Sequence, residues 1–135
     1  MPYYRALMAD AYGRGERSTA ERLGQLDKAI FLSKRNHEPW FEAELYRRRG
    51  ELMASSVEAD PTAAEADFRR SIAIARDQNA RWWELRAATS LGRLLRSRGK
   101  RAEAYEFVAP IYDRFTEGRD IPILLDARAL LESIQ

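Results

Sequence analysis

Cysteine is absent from the 135-residue chain, so disulfides and thiolate metal sites are excluded, and a reducing cytoplasm is the expected compartment. Histidine occurs once, at His37, which leaves the usual general base and metal ligand in short supply. No apolar run approaches the ~20 residues that a membrane-spanning helix requires. The opening Met1-Pro2-Tyr3-Tyr4-Arg5-Ala6 has no charged segment leading into an apolar one, so no secretory signal is expected. An excess of one charge is missing too. With 23 basic against 21 acidic residues and a net charge of +2, neither a membrane surface nor nucleic acid is an expected partner. Within the basic set, all but Lys28, Lys34 and Lys100 are arginine. A GC-rich coding sequence produces that bias, and the guanidinium fork also suits carboxylate or phosphate recognition.

Two-residue apolar alternation is also lacking, and spacing of three and four replaces it. Leu23, Leu26 and Ile30 form one stripe, followed by Phe41, Leu45 and Leu52. Next come Ala64, Phe68, Ile72 and Ala75, then Trp83, Ala87, Leu91 and Leu94. Ala104, Val108, Ile111 and Phe115 precede the last stripe of Leu124, Ala127, Leu131 and Ile134. Each would line one face of an amphipathic helix. The breaks between stripes carry start and stop chemistry. Gly13 and Gly15 end a first helix, and Ser18 with Glu21 forms a capping box. Asp60-Pro61 is a cap followed by proline at the first helical position, and Pro39 plays a similar part. Gly99 and Gly118 suit left-handed C-terminal caps. These signals predict seven helices, near 3–13, 18–35, 40–55, 61–78, 82–98, 101–117 and 122–134. Pro110 falls inside the sixth, where its missing N–H should kink it.

The chain repeats itself. Trp40-Phe41-Glu42 through Gly50-Glu51-Leu52 aligns with Trp82-Trp83-Glu84 through Gly92-Arg93-Leu94 at an offset of 42. Ala64, Phe68 and Ser71 align with Ala104, Val108 and Ile111 at an offset of 40. Met8-Ala9 with Tyr12, then Leu26 with Ala29, make a weaker first copy. The pattern resembles the tetratricopeptide repeat: a small residue within the first helix of a hairpin, then A-x3-F-x2-A in the second. Gly50 and Gly92 would let the two helices approach closely, with Phe68 or Val108 filling the wedge. Arg22 departs from the pattern where a small residue is expected. The fold this resemblance implies is all-α: a right-handed superhelix of about three tetratricopeptide-like hairpins in a single domain, 1–135. The hairpins would span about 3–35, 40–78 and 82–117, with a C-terminal capping helix at about 122–134.

A narrower resemblance rests on three stretches: Trp83-Glu84-Leu85-Arg86-Ala87-Ala88-Thr89-Ser90-Leu91, the Gly99-Lys100-Arg101-Ala102-Glu103-Ala104 turn, and Ala109-Pro110-Ile111-Tyr112-Asp113-Arg114-Phe115-Thr116-Glu117-Gly118. Together these resemble the C-terminal repeat region of bacterial signalling ATPases that carry adenylate/guanylate cyclase or winged-helix domains. In such proteins the repeats dock a partner and control the upstream domains. The resemblance implies a non-catalytic interaction and regulatory module, the tail of a longer chain, whose partners include domains of its own parent protein. The catalytic parts of that architecture are not in this sequence: it holds no G-x-x-x-x-G-K-[ST] phosphate loop and no paired metal-binding aspartates of a cyclase.

No catalytic residue, metal site or cofactor is expected, and the chain does not read as an enzyme. His37 sits in a loop with no nucleophile or orienting carboxylate implied beside it. Trp40, Trp82 and Trp83 could stack on bases, but their equivalent places at helix starts favour packing between hairpins. Arg47-Arg48-Arg49 spreads over about 200° of a helix, so it reads as a solvated face paired with Glu44 and Glu51. Counting from the mid-helix glycines places Glu44, Arg47 and Glu51, with Arg86, Thr89, Arg93 and Arg96, on a concave groove. Its arginines suit an acidic peptide or a C-terminal carboxylate. Two other readings stand beside this one. A homodimer would bury an apolar face around Tyr3, Tyr4, Leu7 and Leu23, and a sensor would bind a small effector.

Overall fold

The computed structural model describes residues 19–37, 39–55, 60–117 and 120–134; the side chains of Pro39 and Trp40 are not described. These residues form six helices and no strand: α1 (Thr19–Arg35), α2 (Pro39–Ser55), α3 (Pro61–Asp77), α4 (Arg81–Ser97), α5 (Arg101–Asp113) and α6 (Pro122–Ile134). The chain is all-α, as its period predicts. The expected helix at 3–13, the Ser18 cap, Gly118 and the proposed dimer residues Tyr3, Tyr4 and Leu7 lie outside the described residues. Leu23 is half-buried.

Local signals set the helix ends. The Asp60 carboxylate accepts a hydrogen bond from the Ala63 N–H at 3.1 Å, with Pro61 opening α3 behind it. This satisfies one of the amides that a helix start leaves unpaired. At the end of α4, Gly99 takes φ +77°; its N–H reaches Arg96 O, and the Lys100 N–H reaches Leu95 O at 2.8 Å. Asn79 repeats this arrangement after α3 with φ +54°, as the Ala80 N–H donates to Ala75 O at 2.9 Å. The paired bonds form the Schellman turn, in which glycine or asparagine tolerates the left-handed residue. Three-residue connections make α3, α4 and α5 antiparallel neighbours. The expected 101–117 helix is shorter: α5 closes at Asp113. Pro110 has no N–H to offer the preceding turn. The last turn tightens into i→i−3 bonds, Arg114 N–H to Ile111 O and Phe115 N–H to Tyr112 O.

Consecutive helices pack against each other; in addition α4 touches α2, and α6 lies on both α4 and α5. Two cores result. Leu26, Ala29, Ile30, Leu45 and Tyr46 join α1 to α2. The larger core runs from Ala64, Phe68 and Ile72 through Leu85, Leu91 and Leu95 to Val108, Leu124, Leu131 and Ile134. Gly50 and Gly92 mark equivalent close approaches. A Cβ on Gly50 would come within 2.7 Å of the Phe68 ring, and one on Gly92 within 2.8 Å of Val108 Cγ2 and 2.7 Å of Leu130 Cδ2. Both distances are far inside the ~3.5–4.0 Å of an ordinary carbon contact. At these two points a side chain has to shift before anything larger than glycine fits.

Candidate functional site

Glu44, Arg47 and Glu51 stand on successive turns of α2, the spacing at which side chains on a helix meet. Arg47 reaches Glu44 with two bonds, Nη2–H to Oε1 at 2.6 Å and Nε–H to Oε2 at 3.1 Å. Its Nη1 donates to Glu51 Oε1 at 3.3 Å and to the Ser90 hydroxyl at 3.4 Å. Ser90 in turn donates to Glu51 Oε1 at 2.7 Å. The polar seam thus crosses from α2 to α4. Arg47 is only 5% exposed and Glu44 7%, so this is a buried, bidentate ion pair and not part of a solvated arginine face. Helix α4 packs over it, which counting along α2 alone does not reveal. Arg48 and Arg86 add their charges at 3.4 and 3.8 Å from Glu44 Oε1.

The remaining groove candidates divide. Arg86 and Arg93 line, with Arg47, Thr89, Ser90 and Asp126, a recess of ≈30 Å³, room for one or two waters. Thr89 is buried and turns its hydroxyl back to Leu85 O at 2.8 Å, so it offers a ligand no donor. Arg93 lies 3.9 Å from Asp126 of α6. Arg96 does not line the recess; its Nη1 donates to Ser133 of α6 at 2.7 Å. The Glu44–Arg47 pair is therefore saturated, and the seam's exposed positive charge comes from Arg86, Arg93 and Arg96 on α4, beside the half-exposed carboxylate of Glu51 and the exposed one of Asp126. Asp126 and Ser133 were not anticipated, because they belong to a different helix that closes over α4.

Two further ion clusters were not foreseen. Asp67 is 6% exposed and takes two bonds from Arg49, at 3.0 and 2.8 Å, while Arg49 also reaches Asp27 at 2.6 Å. One guanidinium thus ties α1, α2 and α3 together. The hydrogen bond to Asp67 raises the Arg49 pKa further above its ordinary value, outweighing desolvation, with Asp27 adding to the rise. Glu84 is 4% exposed and accepts from Arg76 at 2.7 Å and Arg114 at 3.3 Å, joining the ends of α3 and α5 to the start of α4. A sequence signal existed for both: Asp67 sits on the stripe of Ala64, Ser71 and Ala75, and Glu84 on that of Ala87, Leu91 and Leu94. An acid on an apolar stripe predicts a buried, paired acid.

His37 is exposed just past α1, with φ +55°. Trp82 remains 41% exposed and packs its ring on Phe115 at 4.8 Å between centroids, while Trp83 is half-buried under the Arg86 guanidinium. Among the described residues no group of three His, Asp or Glu stands where it could hold a metal ion, and no helix is long and apolar enough to cross a membrane. What fold and site define is an all-helical protein with recurring glycine-mediated helix contacts and a polar seam between α2, α4 and α6. No family model, curated protein or solved structure matches the chain.

Proposed function

We propose that the chain is a non-catalytic interaction and regulatory module. It is a tetratricopeptide-like superhelix that holds an acidic segment of a partner protein against α4. The observation that carries this reading is the equivalence of Gly50 against Phe68 and Gly92 against Val108, at sites the 42- and 40-residue offsets had paired. Repeated hairpins of this kind present one face of each first helix in series. Along α4 that face offers Arg86, Arg93 and Arg96, whose contacts with Glu44, Asp126 and Ser133 leave guanidinium N–H groups for a carboxylate. The resemblance of the 83–91, 99–104 and 109–118 stretches to signalling ATPase tails supports a regulatory setting, in which the acidic segment belongs to the same parent protein.

The test is charge reversal. A fluorescein-labelled hexaglutamate peptide, followed by anisotropy at low salt, should bind the chain and lose at least tenfold affinity to the Arg93→Glu/Arg96→Glu variant, with helicity by circular dichroism unchanged. Reversing Arg35 and Arg81, on α1 and at the opposite end of α4, makes the same change in net charge as a control. Equal weakening by both pairs would reduce the binding to nonspecific attraction and remove the groove.

A further inference from the structure

On the other side of α2 lies a second feature that the seam does not use. Glu42 is two positions from Glu44, about 200° around the helix. It is 8% exposed, yet its carboxylate makes no hydrogen bond among the described residues. The nearest cation is the Lys34 ammonium at 4.0 Å, itself half-exposed and drawn over the Tyr46 ring at 5.4 Å. Every other strongly buried acid here is met by an arginine at 2.6–2.8 Å: Glu44 by Arg47, Asp67 by Arg49, Glu84 by Arg76. The start of α2 favours a negative charge at Glu42. It does not supply the bidentate donor that makes a buried carboxylate cheap to hold.

Glu42 lines an open cleft of ≈390 Å³, walled by Arg70, Ala73, Ile74 and Asp77 of α3 and by Gln78 just past its end, a volume within the roughly 300–1,000 Å³ of small-ligand sites. Asp77 puts a second, exposed carboxylate at its rim. Ala73 and Ile74 give it an apolar wall. The Gln78 Nε2 is buried and lacks an acceptor. Two acids and an apolar wall form a complementary set, and the cation in that wall, Arg70, has its guanidinium over the Tyr46 ring at 5.9 Å. The acids suit a cation, and the wall suits an aliphatic stem.

We propose that this cleft binds an arginine-type guanidinium, its planar fork on Glu42 and its stem against Ala73 and Ile74. A guanidinium fits better than an ammonium because its paired N–H groups match a carboxylate and it sheds its hydration more readily. An arginine side chain of a partner protein and a free arginine-like solute share this chemistry. The site is on a different face from the α4 arginines and stands or falls independently of them.

The experiment titrates the full chain with acetyl-Gly-Arg-Gly-amide, its citrulline counterpart and free arginine, following the Gln78 side-chain amide by ¹H–¹⁵N NMR. The arginine peptide should shift that resonance, and the citrulline peptide should bind at least tenfold more weakly. Binding of the peptide but not of arginine assigns the site to a protein side chain; equal binding assigns it to the solute. Glu42→Gln should weaken binding at least tenfold while leaving helicity intact, and Asp77→Asn, at an exposed position, should weaken it about threefold. Equal binding of the citrulline peptide, unchanged binding by both variants, or no shift at millimolar arginine peptide would each overturn the proposal.

Discussion

Three glycine-to-alanine substitutions make the same chemical change in three helical settings, and the structure assigns each a different outcome. In an exposed helix interior the change stabilises by about 0.5–1 kcal/mol, because alanine loses less backbone freedom. Gly24 on α1 is exposed with nothing within 4 Å of its would-be Cβ, so Gly24→Ala should gain that full amount. Gly50→Ala places its Cβ at 2.7, 2.8 and 3.1 Å from three atoms of the Phe68 ring. That ring is 1% exposed and cannot swing aside. Overpacking of this kind costs about 1–3 kcal/mol, so after the propensity gain the variant should be less stable by about 1–2 kcal/mol. Gly92→Ala meets terminal methyls of Val108 and Leu130, which yield more easily than a ring, so its loss should be about 0.5–1.5 kcal/mol. At roughly 3–5 °C per kcal/mol for a chain of this length, Gly24→Ala should separate clearly from the other two in thermal and urea unfolding followed by circular dichroism. Phe68→Leu in the Gly50→Ala background should recover part of the loss, giving a coupling energy of about 1 kcal/mol. If Gly50→Ala gains as much as Gly24→Ala, the close approach of α2 to Phe68 is wrong and the repeat reading loses its main physical support.

Other perturbations separate buried from exposed polar contacts. Asp67→Ala removes two of the three bonds to the partly buried Arg49, leaving it the exposed Asp27, and should cost about 2–3 kcal/mol in urea unfolding, whereas Asp27→Ala, at a 58% exposed side chain, should cost under about 1 kcal/mol. Glu84→Gln should cost about 1–2 kcal/mol, less than a sealed pair, because Arg76 and Arg114 are each 51% exposed and recover water. Asp60→Ala, which removes the α3 cap, should cost about 1 kcal/mol. Gly99→Ala, at φ +77°, should lose about 1–2 kcal/mol although nothing crowds the site, because the strain is in the backbone.

The helices were legible because each carries an apolar stripe of period 3.6, which survives in the sequence even where, as in α2 and α4, burial extends well beyond it. Gly50 and Gly92 were legible for a similar reason: a glycine within a helical pattern weakens it unless something needs the space. The end of α5 was not, because a proline three residues before it removes a hydrogen bond without saying whether the helix bends or stops. Asn79 escaped notice since only its φ reveals that it stands in for Gly99. The site was harder to read. Residues on α2 and α4 could be assigned to one face by counting, but burial of Arg47 against Ser90 depends on how two helices cross. Asp126 and Ser133 reach that face only because α6 folds back over α4. Glu42 gave no signal at all, since an acid in a first helical turn is ordinary until its burial is known.

The claim most in need of testing is that α4 presents the charge that captures a partner while Arg47 is already spent. Arginine Nε–Hε resonances report this residue by residue. On titration with hexaglutamate at low salt, those of Arg86, Arg93 and Arg96 should shift together along one binding curve, with that of Arg47 unmoved. Shifts spread evenly over the surface arginines, or led by Arg47, would contradict the account.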